Sequence, residues 1–204
     1  RVEELIDGKG RPKKEILQFV PTGKLRIGMN KHAVGGNLMK DLKLPNSSKY
    51  EIKFKKPGEV LASSMLAGGQ FLRDVFKSNK NNFRIMCPDE MESNKLHSVF
   101  EATKRAYVWP TAKHDENISA DGRVMEMLSE HTLQGWLQGY ILTGRHAMFF
   151  TYEAFAGIIS SMVDQYAKFL KQSLSIPWRK PLSSPIYVMT SVGWRQDHNG
   201  YSHQ

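Results

Sequence analysis

Cysteine is nearly absent from this chain of 204 residues, in which Cys87 is the only one. An internal disulfide is therefore excluded, and the composition fits a reducing compartment. The apolar neighbours of Cys87 indicate a side chain that fills the core rather than a nucleophile. We expect a cytoplasmic protein.

Long apolar segments are also missing. The sequence has no run of about 18 apolar residues and no signal-like beginning, so neither a membrane span nor secretion is suggested. With 40% hydrophobic and 10% aromatic residues, the chain can nevertheless bury one substantial core. We therefore expect one domain with an arm, and no membrane partner.

Positive charge is present in excess, but it is unevenly distributed. Residues 1–80 contain 17 lysines and arginines against 8 aspartates and glutamates, whereas residues 81–204 contain 12 of each. Zinc-finger spacing and aromatic RNA-binding signatures are both missing, and runs such as "KFKK" are typical of a solvated surface. We expect no nucleic-acid partner. A non-catalytic module whose basic arm docks a polyanion stays open as an alternative.

Two regions differ in pattern. Residues 1–57 are rich in glycine, proline, lysine and asparagine and show little periodicity, which indicates an inter-domain linker arm with one short strand over residues 25–29. Residues 58–204 show short apolar runs alternating with helical periodicity, which indicates a domain.

The alternation within residues 58–204 predicts an α/β fold. We predict strands in "NFRIMC", "HAMFFT" and "IYVMTSV", and helices after Pro57, around Val99, over "DGRVMEMLSEHTLQGWLQGYIL" up to Gly144, and after "HAMFFT". Short strands separated by helices favour a doubly wound, mainly parallel sheet with helices on both faces. In such folds, sites form at the carboxyl ends of strands. Those ends are "CPDEMESNK", "TYEAF" and "GWRQDHNGYSHQ", the polar stretches of the domain.

One acidic residue stands on an apolar helix face. Glu130 lies three residues before Leu133 and seven before Leu137, so the three share a face. A carboxylate there loses water and needs a partner or a purpose. A structural bond to the backbone, to Arg123 or to Arg145 is as good an interpretation as a functional one.

Several long motifs together carry a family resemblance. "PDEMESNKL", "LSEHTLQGWLQGYILTGRH", "FFTYEAFAGIISSMVDQYAKFLKQS" and "PWRKPLSSPIYVMTSVGWRQDHNGYSHQ" resemble the middle region of phosphoketolases over residues 20–204. These thiamine diphosphate enzymes cleave xylulose 5-phosphate or fructose 6-phosphate with inorganic phosphate, giving acetyl phosphate and an aldose phosphate. "NGYSHQ" is also similar to "DGPTHQ" of the transketolases, so a transketolase-like two-carbon transfer enzyme is a second alternative.

The resemblance implies an organisation for the whole enzyme. Residues 58–204 would be a pyrimidine-binding domain of the thiamine diphosphate-binding fold, truncated at its C-terminal end and cut from a longer chain. The diphosphate and its magnesium ion would be held by an upstream domain outside this chain, so we expect no metal ligand within it. The enzyme would be a homodimer or larger homo-oligomer, with the cofactor clamped between subunits, and we expect the chain alone to be inactive.

The resemblance also implies residue roles next to the cofactor. Glu130 matches the glutamate that hydrogen-bonds the aminopyrimidine ring of thiamine diphosphate and promotes its activation. Phe155 matches the aromatic residue that stacks on this ring, and Tyr152 matches a polar residue near the cofactor and the substrate.

Further matches lie on the substrate side. His203 matches a histidine that faces the reacting carbons and could move protons there. Ser93 and Lys95 match a phosphate-binding pair in the family pattern "SNRL"; this chain has "SNKL", so a point charge replaces a bidentate fork. The residues that match contacts to the sugar hydroxyls or its phosphate are Gln196, His198 and Asn199.

Overall fold

The described part of the arm consists of short helical turns and contains no strand. The computed structural model describes residues 2–33, 38–89 and 91–190. The arm contains helices α1 (Val2–Leu5) and α2 (Lys14–Leu17) and three 3-10 helices, Gly23–Leu25, Ile27–Met29 and Ser47–Tyr50. The predicted strand over residues 25–29 is therefore wrong. No neighbouring strand pairs with this part of the described arm, and local bonds such as Asn30 N to Ile27 O, 2.9 Å, satisfy the backbone instead.

Six strands form a parallel sheet. They are β1 (Phe83–Cys87), β2 (Arg105–Ala106), β3 (Ile118–Ser119), β4 (Val124–Glu126), β5 (His146–Thr151) and β6 (Ile186–Met189), in the order β3-β2-β4-β1-β5-β6. Every neighbouring pair is parallel. The predicted α/β class and parallel sheet are confirmed.

Helices cover the two faces of the sheet. One face packs against α3 (Ser64–Ser78) and the 3-10 helix His97–Glu101, in a cluster that includes Phe76, Ile85 and Val99. The other face packs against α4 (Glu130–Leu142) and α5 (Glu153–Ser173), where Leu137 and Phe149 are buried. The central strands meet apolar side chains on both faces, which explains their continuous apolar runs. Cys87 is fully buried among them, as predicted.

The helix predicted from residue 121 to Gly144 is two elements. Its first part is strand β4, which pairs with β1 through Ile85↔Val124 and Met86↔Met125. Ser129 then caps α4, because its side chain accepts a hydrogen bond from Thr132 N. A three-residue strand is too short to show a period in the sequence, and only its pairing with β1 makes it a strand. The helix predicted around Val99 is a single 3-10 segment.

The arm passes along the sheet edge where the strands begin. Gly144, which ends α4 with φ of 90°, packs so closely on the arm that a Cβ added to it would lie 2.9 Å from Met39 N. His146 Nε2 donates to Lys40 O over 2.7 Å, and Asn79 bonds both N and O of Lys43 over 2.9 Å. Within the described ranges, no helix is long and apolar enough to cross a membrane.

Candidate functional site

Several predicted site residues follow directly after strands that end at the same edge. Ser93 and Lys95 lie in the loop after β1, Glu130 follows β4 by four residues, and Tyr152 and Phe155 follow β5. Because β4, β1 and β5 are adjacent and parallel, their carboxyl ends meet at one edge of the sheet. The topology therefore brings three separate sequence motifs together.

A direct bond joins two of these motifs. Tyr152 Oη donates a hydrogen bond to Ser93 Oγ over 2.9 Å, linking the loop after β1 to the end of β5. The rings of Tyr152 and Phe155 stack, with centroids 6.2 Å apart and planes 27° from parallel. The result is an aromatic surface beside a hydroxyl pair at the carboxyl edge.

Glu130 is the first residue of α4, and it is half-buried. Its carboxylate makes no hydrogen bond or ion pair with any other residue that the structure describes. The two proposed structural partners bind elsewhere: Arg123 donates to Phe76 O over 3.0 Å, and Arg145 donates to Asn81 O over 3.3 Å. A negative charge is favoured at this position because the helix N-terminus carries partial positive charge. Within the part of the chain that the structure describes, the carboxylate of Glu130 is therefore available to accept hydrogen bonds.

The loop that carries Ser93 and Lys95 is tied to β4 by a buried charge. The Glu126 side chain is only 6% exposed; its Oε1 accepts from Met91 N over 3.1 Å and its Oε2 forms a short ion pair with Arg105 Nε. Arg105 Nη2 also lies 3.9 Å from Glu92 Oε1. One carboxylate therefore joins the loop after β1 to the strand that leads into Glu130.

The same loop has an unusual backbone and a tight neighbour. Lys95 has φ of 57°, a left-handed conformation that non-glycine residues seldom adopt. A Cβ at Gly69 of α3 would lie 3.0 Å from Lys95 O, so glycine permits the close approach. Such backbone outliers are found where the surroundings over-determine the conformation, often at functional sites.

Glu126 and Arg105 were not identified from the sequence. Their signal would have been the strand itself: a strand assigned to "VME" places Glu126 at the same carboxyl edge as Glu130. A helix predicted over these three residues does not place Glu126 at that edge.

The remaining predicted residues, Gln196, His198, Asn199 and His203, lie outside the described residues. The chain leaves β6 beside the end of β5, where Thr190 N donates to Thr151 O over 3.0 Å. In the described part of the chain, no three or more His, Cys, Asp or Glu side chains are grouped so that they could hold a metal ion.

Comparison with known proteins decides the family. A family model for D-xylulose 5-phosphate/D-fructose 6-phosphate phosphoketolase matches residues 67–204. The chain belongs to the phosphoketolase family. It is 50% identical over 206 residues to a probable phosphoketolase of Nitrosomonas europaea, covering 100% of this chain and 26% of that protein. It is 51% identical over 203 residues to a probable phosphoketolase of Brucella abortus, covering 98% and 26%, and 49% identical over 202 residues to one of Mycobacterium avium, covering 99% and 25%.

The chain therefore spans about a quarter of the length of the curated phosphoketolases that it matches. The match extends through the loop after β1, the start of α4 and the end of β5, which carry the residues brought together at the carboxyl edge.

Proposed function

We propose that this chain is the pyrimidine-binding part of a thiamine diphosphate-dependent phosphoketolase. The whole enzyme would cleave xylulose 5-phosphate, fructose 6-phosphate or both with inorganic phosphate, giving acetyl phosphate plus glyceraldehyde 3-phosphate or erythrose 4-phosphate. The observation that carries this proposal is the half-buried carboxylate of Glu130, which has no partner among the described residues and lies at the carboxyl edge of a family-matched domain.

The residues at this edge fit the pyrimidine half of the cofactor. Glu130 offers a carboxylate without a partner among the described residues, and an aminopyrimidine ring offers nitrogen atoms for it to bond. The stacked Tyr152 and Phe155 offer an aromatic surface of the kind that binds a flat ring. Thiamine diphosphate, when bound, supplies the carbanion stabilisation that carbon–carbon cleavage of a ketose needs.

Glu130 acts on a proton in this proposal. Its carboxylate would hold or move a proton where a ring nitrogen of the pyrimidine would bind. Phe155 excludes water from one face of the ring and orients it.

Ser93 and Lys95 bind phosphate, one with a hydroxyl group and the other with a positive charge. The bond from Tyr152 to Ser93 fixes this pair relative to the ring site. His203 delivers or removes protons at the two-carbon unit, and Gln196, His198 and Asn199 contact the sugar phosphate. Magnesium and the diphosphate group are held by another part of the enzyme, which we propose is a cytoplasmic homodimer or larger homo-oligomer.

A chimeric enzyme tests the proposal. In the Nitrosomonas europaea protein, the segment that aligns with this chain over 206 residues is replaced by the 204 residues of this chain. Acetyl phosphate is then measured with xylulose 5-phosphate, phosphate, thiamine diphosphate and Mg²⁺. We expect acetyl phosphate from the chimera and none from the 204-residue chain alone. Release of aldose phosphate that requires an acceptor sugar would favour a transketolase-like enzyme instead.

The lysine in "SNKL" allows a sharper test in the same chimera. Lys95→Arg restores a bidentate fork, so we expect the KM for inorganic phosphate to fall several-fold while the KM for the ketose changes less. Lys104→Arg is the matched control, because Lys104 bonds Asn117 Oδ1 over 2.8 Å in another loop. An unchanged KM for phosphate would remove Lys95 from the phosphate site.

A further inference from the structure

A cleft lies at the edge of the sheet where the strands begin, opposite to the edge that carries Glu130 and Ser93. Its volume is about 970 Å³, within the range of small-molecule sites. Residues just before β1, β4 and β5 line it together with one side of α4. Its charged lining consists of Lys31, His32, Lys80, Arg84, Arg123 and Arg145, against the carboxylate of Asp121.

Two arginines of this cleft converge on one ring. The Cζ atoms of Arg84 and Arg145 each lie 5.4 Å from the centroid of the Tyr140 ring. Both side chains are half-buried, so these positive charges are partly removed from water. The aromatic ring supports the two guanidinium groups but carries no negative charge to balance them.

The hydrogen bonds of the arginines go to neutral acceptors. Arg84 Nη1 donates to Gly122 O over 3.2 Å, Arg145 Nη1 donates to Thr143 Oγ1 over 3.0 Å, and Arg123 Nη2 donates to Ala102 O over 3.2 Å. None of the three pairs with a carboxylate within the described ranges. These bonds orient the guanidinium groups without neutralising their charge, which the cleft lining balances only in part through Asp121.

The cluster has an electrostatic cost without an anion. Burial lowers the pKa of Arg123, and so does the neighbouring charge of Arg84, although Tyr140 and Asp121 oppose the shift. The pKa of His32 is lowered by burial and by the charges of Arg145 and Lys31. Like charges held together in a half-buried cleft repel, and an anion would turn this repulsion into attraction.

We propose that this cleft binds a small anion with two or more phosphate groups. Guanidinium groups recognise phosphate oxygens in a bidentate manner, and fixed forks lose little freedom on binding. Several cations spread over one cleft suit a chain of phosphate groups better than they suit a single phosphate group. The proposal is independent of the function proposed above, since none of its residues belongs to the carboxyl edge.

Isothermal titration of the purified 204-residue chain with inorganic pyrophosphate tests it, at low salt and again near physiological salt. We expect saturable binding at one site. Arg84→Ala and Arg145→Ala should each weaken it at least about tenfold, which corresponds to the loss of one charged hydrogen-bonding group. Arg84→Lys keeps the charge but not the fork, so it should bind more weakly than the wild type and more tightly than Arg84→Ala.

Arg179→Ala is the matched control, because Arg179 also covers an aromatic ring, with Cζ 5.1 Å from the Phe169 centroid, but does not line the cleft. The Arg179→Ala variant should bind pyrophosphate as tightly as the wild type does. Thermal melts should show that all variants are folded. The absence of saturable binding overturns the proposal, as does equal weakening by Arg179→Ala, which would indicate a net-charge effect. Loss of binding in Ser93→Ala/Lys95→Ala, with wild-type binding in Arg84→Ala, would place the anion at the carboxyl edge and also overturn it.

Discussion

The two edges of the sheet are built from the same strands and have different uses. At the carboxyl edge, a carboxylate without a described partner, a hydroxyl pair and two stacked rings lie on loops that a buried ion pair holds in place. At the opposite edge, side chains bind the backbone of the arm, and three guanidinium groups bond neutral acceptors. A parallel sheet separates these roles because every strand enters at one edge and leaves at the other. We expect substitutions at the carboxyl edge to change chemistry, and those at the arm edge to change stability.

The largest effect is expected at Glu130. Glu130→Gln in the chimera keeps the size of the side chain but cannot hold the negative charge, so acetyl phosphate formation should fall by about 10²–10⁴. The melting temperature of the 204-residue chain should fall by no more than about 4 °C, because Glu130 bonds no other described residue and only its favourable charge at the helix N-terminus is lost. Activity within a few-fold of the parent chimera would return Glu130 to a structural role and remove the contrast between the edges.

A large loss of stability is expected at Glu126, although it lies at the carboxyl edge. Glu126→Gln leaves the partly buried Arg105 with only the exposed and more distant Glu92 as counter-charge, so the free energy of unfolding should fall by about 2–3 kcal/mol in urea titrations. The control Glu101→Gln breaks an exposed ion pair with Arg73 and should change the free energy of unfolding by less than about 1 kcal/mol. Equal effects would show that the buried pair does not hold the loop.

At the arm edge, Asn79→Ala should lower the free energy of unfolding by about 1–2 kcal/mol. The buried Asn79 side chain makes hydrogen bonds with Lys43 N, Lys43 O and Val75 O, and all three are lost. Activity of the chimera that carries it should be nearly unchanged under conditions where it is folded. Asn82→Ala, which removes one bond to Lys40 O, is expected to cost less. A drop in kcat comparable to that of Glu130→Gln would show that the two edges are coupled.

The smallest effect is expected from the contact between the arm and α3. Arg73 and the Tyr50 hydroxyl lower the pKa of Asp74 to about 2. This lowered pKa makes the contribution of Asp74 to stability complete above its ordinary pKa, near 4, and that contribution is lost as the pH falls towards 2. The stability difference between the wild type and Asp74→Asn should therefore shrink between pH 5 and about pH 2.5. The exposed Asp164→Asn should show no such trend.

Much of the fold was predictable because its signals are local. "HAMFFT", which is apolar from Ala147 to Phe150, coincides with β5, and the long amphipathic pattern after it coincides with α5. β4 was missed because three residues hold no period, and the expected strand in the arm was wrong because β-propensity forms a strand only where a partner exists. The candidate site residues were predicted from the family motifs. Glu126 was missed because its role depends on Met91 and Arg105, both distant in sequence.

The sequence by itself determined the alternation of strands and helices, the family and the residue types of the candidate site, since each depends on neighbouring residues or on long motifs. Only the tertiary structure decided that Ser93 meets Tyr152, that Glu126 ties the loop after β1 to β4, and that Arg84 and Arg145 converge on Tyr140. The residues brought together from separate elements, Ser93 with Tyr152, Met91 with Glu126, and Arg84 with Tyr140 and Arg145, lie from 35 to 61 positions apart. No local pattern encodes them, because they arise only when the strands are placed side by side in the order of the sheet.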